Sequence, residues 1–296
     1  MTTVGFVGLG SMGAPIAGRL LAGNQVHGTN RTRAKAAALI EQGLIWRDTP
    51  REVASAADIV FSMVTDDAAL AAITSGRDGL LAGLRPGAVY VDMSTVSPDA
   101  SRELAARVAA AGATMLDAPV SGSVPAAQSG TLAIMVGGPE QAFRAAEALL
   151  RRLGSTVTHV GGNGQGLLLK LAINISLAAQ MLAFSEGLLL AERGGIDPKL
   201  AAGAMSAAAI GSPMLRARLP LVLDLPAQPW FDMRLMHKDI RLALEAARGS
   251  GLPLPSASAA DRMLTRAEAL GYGHRDIAGF FEVLQRSTGE PVPGAA

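Results

Sequence analysis

The sequence predicts an α/β protein: an N-terminal domain of alternating strands and helices, then an all-α C-terminal domain, the two joined by one long helix. Three observations carry this prediction. Apolar strand-like runs alternate with helical segments from Thr3 to Val136, the pattern of βαβ units and a parallel sheet. Beyond Gly161-Gly162-Asn163-Gly164 no strand pattern recurs. Gln165–Arg193 reads as one unbroken apolar helix of about 29 residues, about 43 Å long. The expected boundaries are 1–162 for the nucleotide-binding domain and 163–290 for the helical domain, with 291–296 as a frayed tail.

Thr3–Val7 is a short apolar strand, and Gly8-Leu9-Gly10-Ser11-Met12-Gly13 follows it at once. Ala14–Ala22 then reads as a helix and Gln25–Gly28 as the next strand. A G-x-G-x-x-G spacing between a strand and a helix is a dinucleotide site: one glycine turns, one admits a pyrophosphate, one lets helix and strand pack closely. The helix N-terminus offers N–H groups and partial positive charge to the phosphates. At the end of the second strand an NAD site usually carries Asp or Glu. Here stand Asn30, Arg31, Thr32 and Arg33, and a guanidinium beside a hydroxyl suits a 2′-phosphate. NADPH is therefore the expected cofactor, with NADH second. The alternative is that Arg31 and Arg33 are solvated loop charges.

Ala57–Val64, Ala88–Asp92, Thr114–Asp117 and Leu132–Val136 are further strands. Ser97 caps a helix that opens with Pro98. In an open parallel sheet, ligands bind beyond the C-terminal strand ends, so Val64, Thr95 and the Ala118–Ser123 loop should line one cleft. The Asp117–Leu132 segment is rich in Gly and Ser; it is either a carboxylate pocket built from backbone N–H groups or an ordinary surface turn.

In the C-terminal half, helices are expected at Pro198–Ala208, Leu235–Arg248, Ser256–Leu270 and Asp276–Ser287. The long helix is apolar almost all round, so it should be buried on most sides, and a second copy of the chain is the simplest cover: a homodimer or homotetramer. Lys170 and Asn174 lie one turn apart on its same face. A cation and an amide among Leu, Ile and Ala either polarise a carbonyl or belong to a Lys that snorkels to water. Lys238 and Asp239 open another helix, as a helix-terminal charge pair or as site residues.

Composition removes several classes. Of 296 residues, Lys+Arg number 26 against Asp+Glu 25, for a net charge of +1, so no nucleic-acid partner is expected. There is no Cys, hence no disulfide or thiol chemistry. Four His at 27, 159, 237 and 274 lack ligand spacing, and no metal is expected. The N-terminus lacks a basic secretory leader, and Leu171–Ser185, about 15 residues, is shorter than the roughly 20 of a membrane span. A cytoplasmic protein without a membrane partner is expected.

Gly8-x-Gly10-x-x-Gly13, the Asp117–Leu132 loop, Gly166-x-x-x-Lys170-x-x-x-Asn174 and Lys238-Asp239 occur in the order seen in β-hydroxyacid dehydrogenases, and the chain resembles that family from about residue 3 to 287. Asn30-Arg31-Thr32, Ser121-Gly122-Ser123 with Pro125-Ala126, Ile173, Gly211-Ser212-Pro213-Met214 and Phe231 resemble its glyoxylate/succinic semialdehyde reductase branch. Many members have Gly-Gly at Gly122-Ser123 and Asn-Asn at Ile173-Asn174; the reductase branch shares both changes.

The resemblance implies a Rossmann domain, an all-α C-terminal domain and a long interdomain helix. It implies Lys170 as catalytic acid/base with Asn174 orienting it or the substrate. Ser121, Gly122 and Ser123 would hold a substrate carboxylate, and Thr95, Phe231 and Asp239 would line the site. Gly8, Leu9, Gly10, Ser11, Met12, Gly13, Asn30, Arg31, Thr32, Met63, Val64, Thr95 and Lys238 would bind the cofactor. The expected activity is NADPH-dependent reduction of a small carboxylate-bearing aldehyde, such as glyoxylate or succinic semialdehyde. A 3-hydroxyisobutyrate-type dehydrogenase is an alternative. So is an imine reductase, though such enzymes generally lack the Lys matching Lys170.

Overall fold

The computed structural model describes residues 2–287; the expected frayed tail at 291–296 lies outside them. Residues up to Lys170 form one compact unit and those from Leu171 onward a second.

The first unit holds nine strands among the described residues: β1 (Thr3–Val7), β2 (Gln25–Thr29), β3 (Ile45–Trp46), β4 (Ile59–Ser62), β5 (Val89–Asp92), β6 (Thr114–Asp117), β7 (Val120–Ser121), β8 (Ala133–Gly137) and β9 (Thr156–Gly161). Their order in the sheet is β3-β2-β1-β4-β5-β6-β8-β7, with β9 also on β8. β1 to β6 run parallel, and β8 returns antiparallel to β6. The order reverses direction between β1 and β4, the point at which open α/β sheets bind nucleotides. The central strands are buried on both faces, which is why their sequences read as continuous apolar runs. Phe6, Val91 and Leu116 pack against the Gly13–Leu21 and Glu140–Leu153 helices on one face. Val60, Tyr90 and Met115 pack with Leu104 and Val108 on the other.

Two features differ from expectation. The Asp117–Leu132 segment is not simply a loop: it contains β7 and a helix at Ser123–Ser129. β3, β9 and the helices at Glu140–Leu153 and Pro213–Leu223 were not among the predicted elements.

The second unit is helical. Most of the Gln165–Arg193 helix belongs to it, with Pro198–Ala207, Pro213–Leu223, Met233–Arg248, Pro255–Ala269 and Phe280–Ser287. Ala178, Met181, Phe184 and Leu188 from the long helix join Met233, Met236, Ile240, Leu264 and Phe280 in its core. The helix is less enclosed than its sequence suggests: Leu168, Leu169 and Leu190 are exposed, Leu190 to 76%. At 29 residues, with a mean hydropathy of 1.8 over its most apolar window, it is long and apolar enough to cross a membrane by length and composition. The shortness argued from Leu171–Ser185 alone therefore excludes nothing; the helix's buried face is core.

Candidate functional site: a dinucleotide cradle, a buried lysine and an amide–carboxylate pair

The Gly8–Gly13 turn separates three different reasons for a glycine. Gly8 has φ +96°, and a side chain there would collide with the carbonyl of Met63. A Cβ on Gly13 would collide with the carbonyl of Gly8. A Cβ on Gly10 would meet no protein atom within 4 Å. The fold therefore demands the first and third glycines, whereas the second keeps open a space that protein does not fill. No side-chain hydrogen bond caps the Gly13–Leu21 helix; Ala14 N–H donates to the Gly10 carbonyl at 2.9 Å, and the positive end of the helix begins at that space. This cradle fits a dinucleotide pyrophosphate. Ser11 is exposed on it, and Met12 packs against the core below.

Asn30 has a different task from its neighbours. Its Oδ1 accepts from Leu9 N–H at 3.0 Å and its Nδ2 donates to the Thr32 carbonyl at 3.0 Å. The Oδ1 contact ties the loop after β2 to the loop after β1, and the Nδ2 contact braces its own loop. Arg33 lies 5.3 Å over the Trp46 ring. Arg31 and Thr32 stay exposed at the tip of β2.

Beneath Met63, Val64 and Thr95 runs a buried polar chain that the motifs do not reveal. The Val64 N–H donates to Ser94 Oγ at 2.9 Å, and Ser94 O–H donates to Asp92 Oδ1 at 2.6 Å. Ser62 O–H donates to the same oxygen at 2.6 Å and lies 2.7 Å from Tyr90 Oη. Since Ser62 spends its proton on Asp92, Tyr90 must be the donor to Ser62. The chain is directional, and its product is a fixed Val64–Thr95 floor. Burial pushes the Asp92 carboxyl up, against the opposing pull of its serine hydrogen bonds. Burial likewise pushes up Asp117, its register partner on β6, and raises the Tyr90 hydroxyl well above the usual phenol range.

Beyond β7, Gly122 has φ +136° and Ser123 has φ +57°, the sole positive-φ residue other than glycine among the described residues. A serine held there costs about 1 kcal/mol relative to glycine. Ser121 and Ser123 are half-buried and Gly122 is exposed, so this turn presents backbone and hydroxyl groups rather than charge.

Lys170 closes the first unit. It lies six positions into the long helix and is only 7% exposed. In the second unit Asn174 and Asp239 meet: Asn174 Nδ2 donates to Asp239 Oδ2 at 2.6 Å. A carboxylate only accepts, so the contact fixes the amide and turns its oxygen away from Asp239. Lys238 Nζ forms an ion pair with the other oxygen at 2.8 Å. Their helix, Met233–Arg248, is capped by Asp232 and pinned through His237, whose two ring nitrogens contact Glu268 at 2.9 Å and Asp261 at 3.0 Å. Phe231 is half-buried, its N–H held at 3.1 Å by the fully buried Asp276.

The family model described as the NAD binding domain of 6-phosphogluconate dehydrogenase matches residues 3–161. That described as NAD-binding of NADP-dependent 3-hydroxyisobutyrate dehydrogenase matches 164–284. The chain belongs to the β-hydroxyacid dehydrogenase family. It is 33% identical to 2-(hydroxymethyl)glutarate dehydrogenase of Eubacterium barkeri, over 98% of this chain and 97% of the relative. It is 32% identical to the chloroplastic glyoxylate/succinic semialdehyde reductase 2 of Arabidopsis thaliana, over 96% and 79%. Among solved structures, Psf3 in complex with NADP+ and 2-OPP superposes with a TM-score of 0.87 at 30% identity, covering 95% of this chain and 99% of Psf3.

As a member of the family, the protein is an NAD(P)-dependent oxidoreductase acting on hydroxyacids. Its two-domain fold, a parallel-sheet dinucleotide domain followed by helices, is the fold the sequence predicts. The motifs assign no role to Ser62, Asp92, Asp117 or Asp276, which are polar residues at the ends of elements. Three of them are the polar last residues of apolar strands, and the fourth precedes a helical turn that it caps through Ala278 N–H at 3.0 Å.

Proposed function

We propose that the protein reduces a small aldehyde acid to its hydroxyacid with NADPH, and that Lys170 is the general acid. The observation that carries this reading is the burial of an ammonium-bearing side chain in the same compact unit as the dinucleotide cradle and the Ser121–Ser123 turn. When bound, the reduced nicotinamide supplies a hydride to the carbonyl carbon. As negative charge develops on the oxygen, Lys170 stabilises it and transfers its proton to that oxygen; solvent then reprotonates the amine. Backbone N–H groups of Ser121–Ser123 orient the carboxylate, so that the aldehyde is presented in one pose. Thr95, next to Ser94 on the floor below the cradle, lies in the same unit as Lys170 and contributes to the substrate site.

Arg31 and Thr32 support the preference for NADPH, because they leave an exposed guanidinium and hydroxyl where an NAD site has a carboxylate. The exposed Leu190, Ile196 and Leu200 support self-association of the chain into a dimer or larger homo-oligomer.

A panel of glyoxylate, succinic semialdehyde and a cyclic imine, each with NADPH and NADH and read by absorbance of the reduced cofactor, tests the activity. Turnover of the aldehyde acids, faster with NADPH, is expected; turnover of the imine alone would overturn the reading. Arg31→Ala should weaken NADPH about tenfold more than NADH, the scale of one charge-assisted hydrogen bond. Equal losses in paired titrations would reject the phosphate contact.

A further inference from the structure

Several helices in this protein are capped from next door. Asp66, Ser97, Asp197, Ser212 and Asp232 each precede a helix and accept an N–H from its first turn. The helix that carries Lys170 is different. Its first turn is held by Asp117, the last residue of β6, 47 and 50 residues away in sequence. Asp117 Oδ1 accepts from Gly164 N–H at 2.7 Å and Oδ2 accepts from Leu167 N–H at 3.1 Å. The side chain is wholly buried.

The surroundings are cut to admit this contact. A Cβ on Gly166 would lie 2.5 Å from the Met135 carbonyl and 2.8 Å from Asp117 Oδ2. A Cβ on Gly137 would lie 2.7 Å from Asp117 Oδ1. Asn163 adds a second tie, donating from Nδ2 to the Met115 carbonyl at 2.9 Å. Two acceptors on one rigid carboxylate, gripping N–H groups three residues apart, fix both the rise and the rotation of the turn. Lys170 follows Leu167 by three residues, and its own N–H bonds back to the carbonyl of Gly166 by α-helical geometry. Whatever sets Gly164–Leu167 therefore sets the direction in which Lys170 leaves the helix.

We infer that Asp117 is a positioning residue for the reaction, acting through Lys170: it locks the start of the Gln165–Arg193 helix to the sheet and so fixes where the ammonium sits. This rests on the reading of Lys170 as proton donor. A cap that served stability alone would lower the melting temperature and leave the work of Lys170 unchanged.

A double-mutant cycle on the full chain separates the two. Asp117→Asn keeps the shape and one acceptor oxygen but sets an amide against an N–H. It should lower kcat about tenfold to a hundredfold, the scale of an ångström-sized misplacement, with KM and NADPH affinity within about threefold of wild type. In the Lys170→Ala background the same change should alter kcat less than about twofold, because the group it positions is gone. An equal loss in both backgrounds, or none in either, would overturn the inference. Gly166→Ala, which pushes the same turn off the carboxylate, should reproduce the signature if Asp117→Asn does not fold. The substrate is the fastest aldehyde acid of the panel above. If none is turned over, the functional reading fails on its own; the inference is then read from 13C-methylated Lys170, whose resonance, assigned by its loss in Lys170→Ala, should shift in Asp117→Asn. An unshifted resonance would overturn it.

Discussion

In the sheet unit, buried polarity runs through Tyr90, Ser62, Asp92 and Ser94 and ends on a backbone N–H at Val64. In the helical unit, Asn174 and Asp239 meet directly, side chain to side chain, and Lys238 shares the same carboxylate. The first arrangement delivers backbone positions; the second delivers an oriented amide and a neutralised charge. Added atoms would meet backbone in both units, at Gly13 against the Gly8 carbonyl and at Gly211 against the Ser206 carbonyl, whereas the buried pair of the helical unit is sensitive to a removed partner. A buried polar group that loses its partner costs about 1–3 kcal/mol, whereas an overpacked backbone contact has no side chain free to yield.

The largest effect should come from the sheet unit. Gly13→Ala drives a methyl into the Gly8 carbonyl and should cost about 3 kcal/mol or prevent folding. Gly10→Ala, three residues away, should leave the melting temperature nearly unchanged while weakening dinucleotide binding. Thermal denaturation with NADPH titration checks both; equal destabilisation by the two would erase the distinction between a glycine the fold requires and one the ligand requires.

Next comes the helical unit. Asp239→Ala removes the acceptor of the buried Asn174 Nδ2 and the ion-pair partner of Lys238, and should cost about 1–3 kcal/mol in chemical denaturation. A neutral result would show that the pair contributes orientation without stability.

The smallest effect is a pH dependence in the sheet unit. Burial raises Asp92 in the folded chain, so the fold binds that proton more tightly than the unfolded chain does. The stabilisation is fully present below the unfolded pKa of about 3.9 and is lost as pH rises through the folded value. Asp92→Asn keeps the acceptor for Ser62 and Ser94 but does not titrate. Its melting temperature relative to wild type should therefore become more favourable as pH rises from below about 3.9 toward neutrality. A difference independent of pH would contradict the assignment.

Much of this architecture is legible in the sequence because it is local. The glycine spacing after β1, the lack of a carboxylate after β2 and the unbroken run from Gln165 are all read within a few residues. β3 and β7 escape because two residues carry no period, and β9 because Thr156, Thr158 and His159 lack the apolar run of a buried strand. Pro220, inside the Pro213–Leu223 helix, argues against a helix that tertiary packing of Leu215 and Val222 nonetheless forms. The Glu140–Leu153 helix is legible, since Phe143, Ala146, Leu150 and Leu153 recur at three and four residues. The site is harder. Its glycines and its lysine announce themselves, but Asp92 and Asp117 act on residues as much as 50 positions away. No local pattern encodes what those carboxyls grip.

The central claim concerns one ammonium group. Steady-state kinetics of Lys170→Ala on the preferred aldehyde acid, with cofactor affinity measured alongside, tests it most directly. The account predicts a fall in kcat of at least about a hundredfold, the range for a lost general acid, with NADPH still bound. Turnover close to wild type would contradict it.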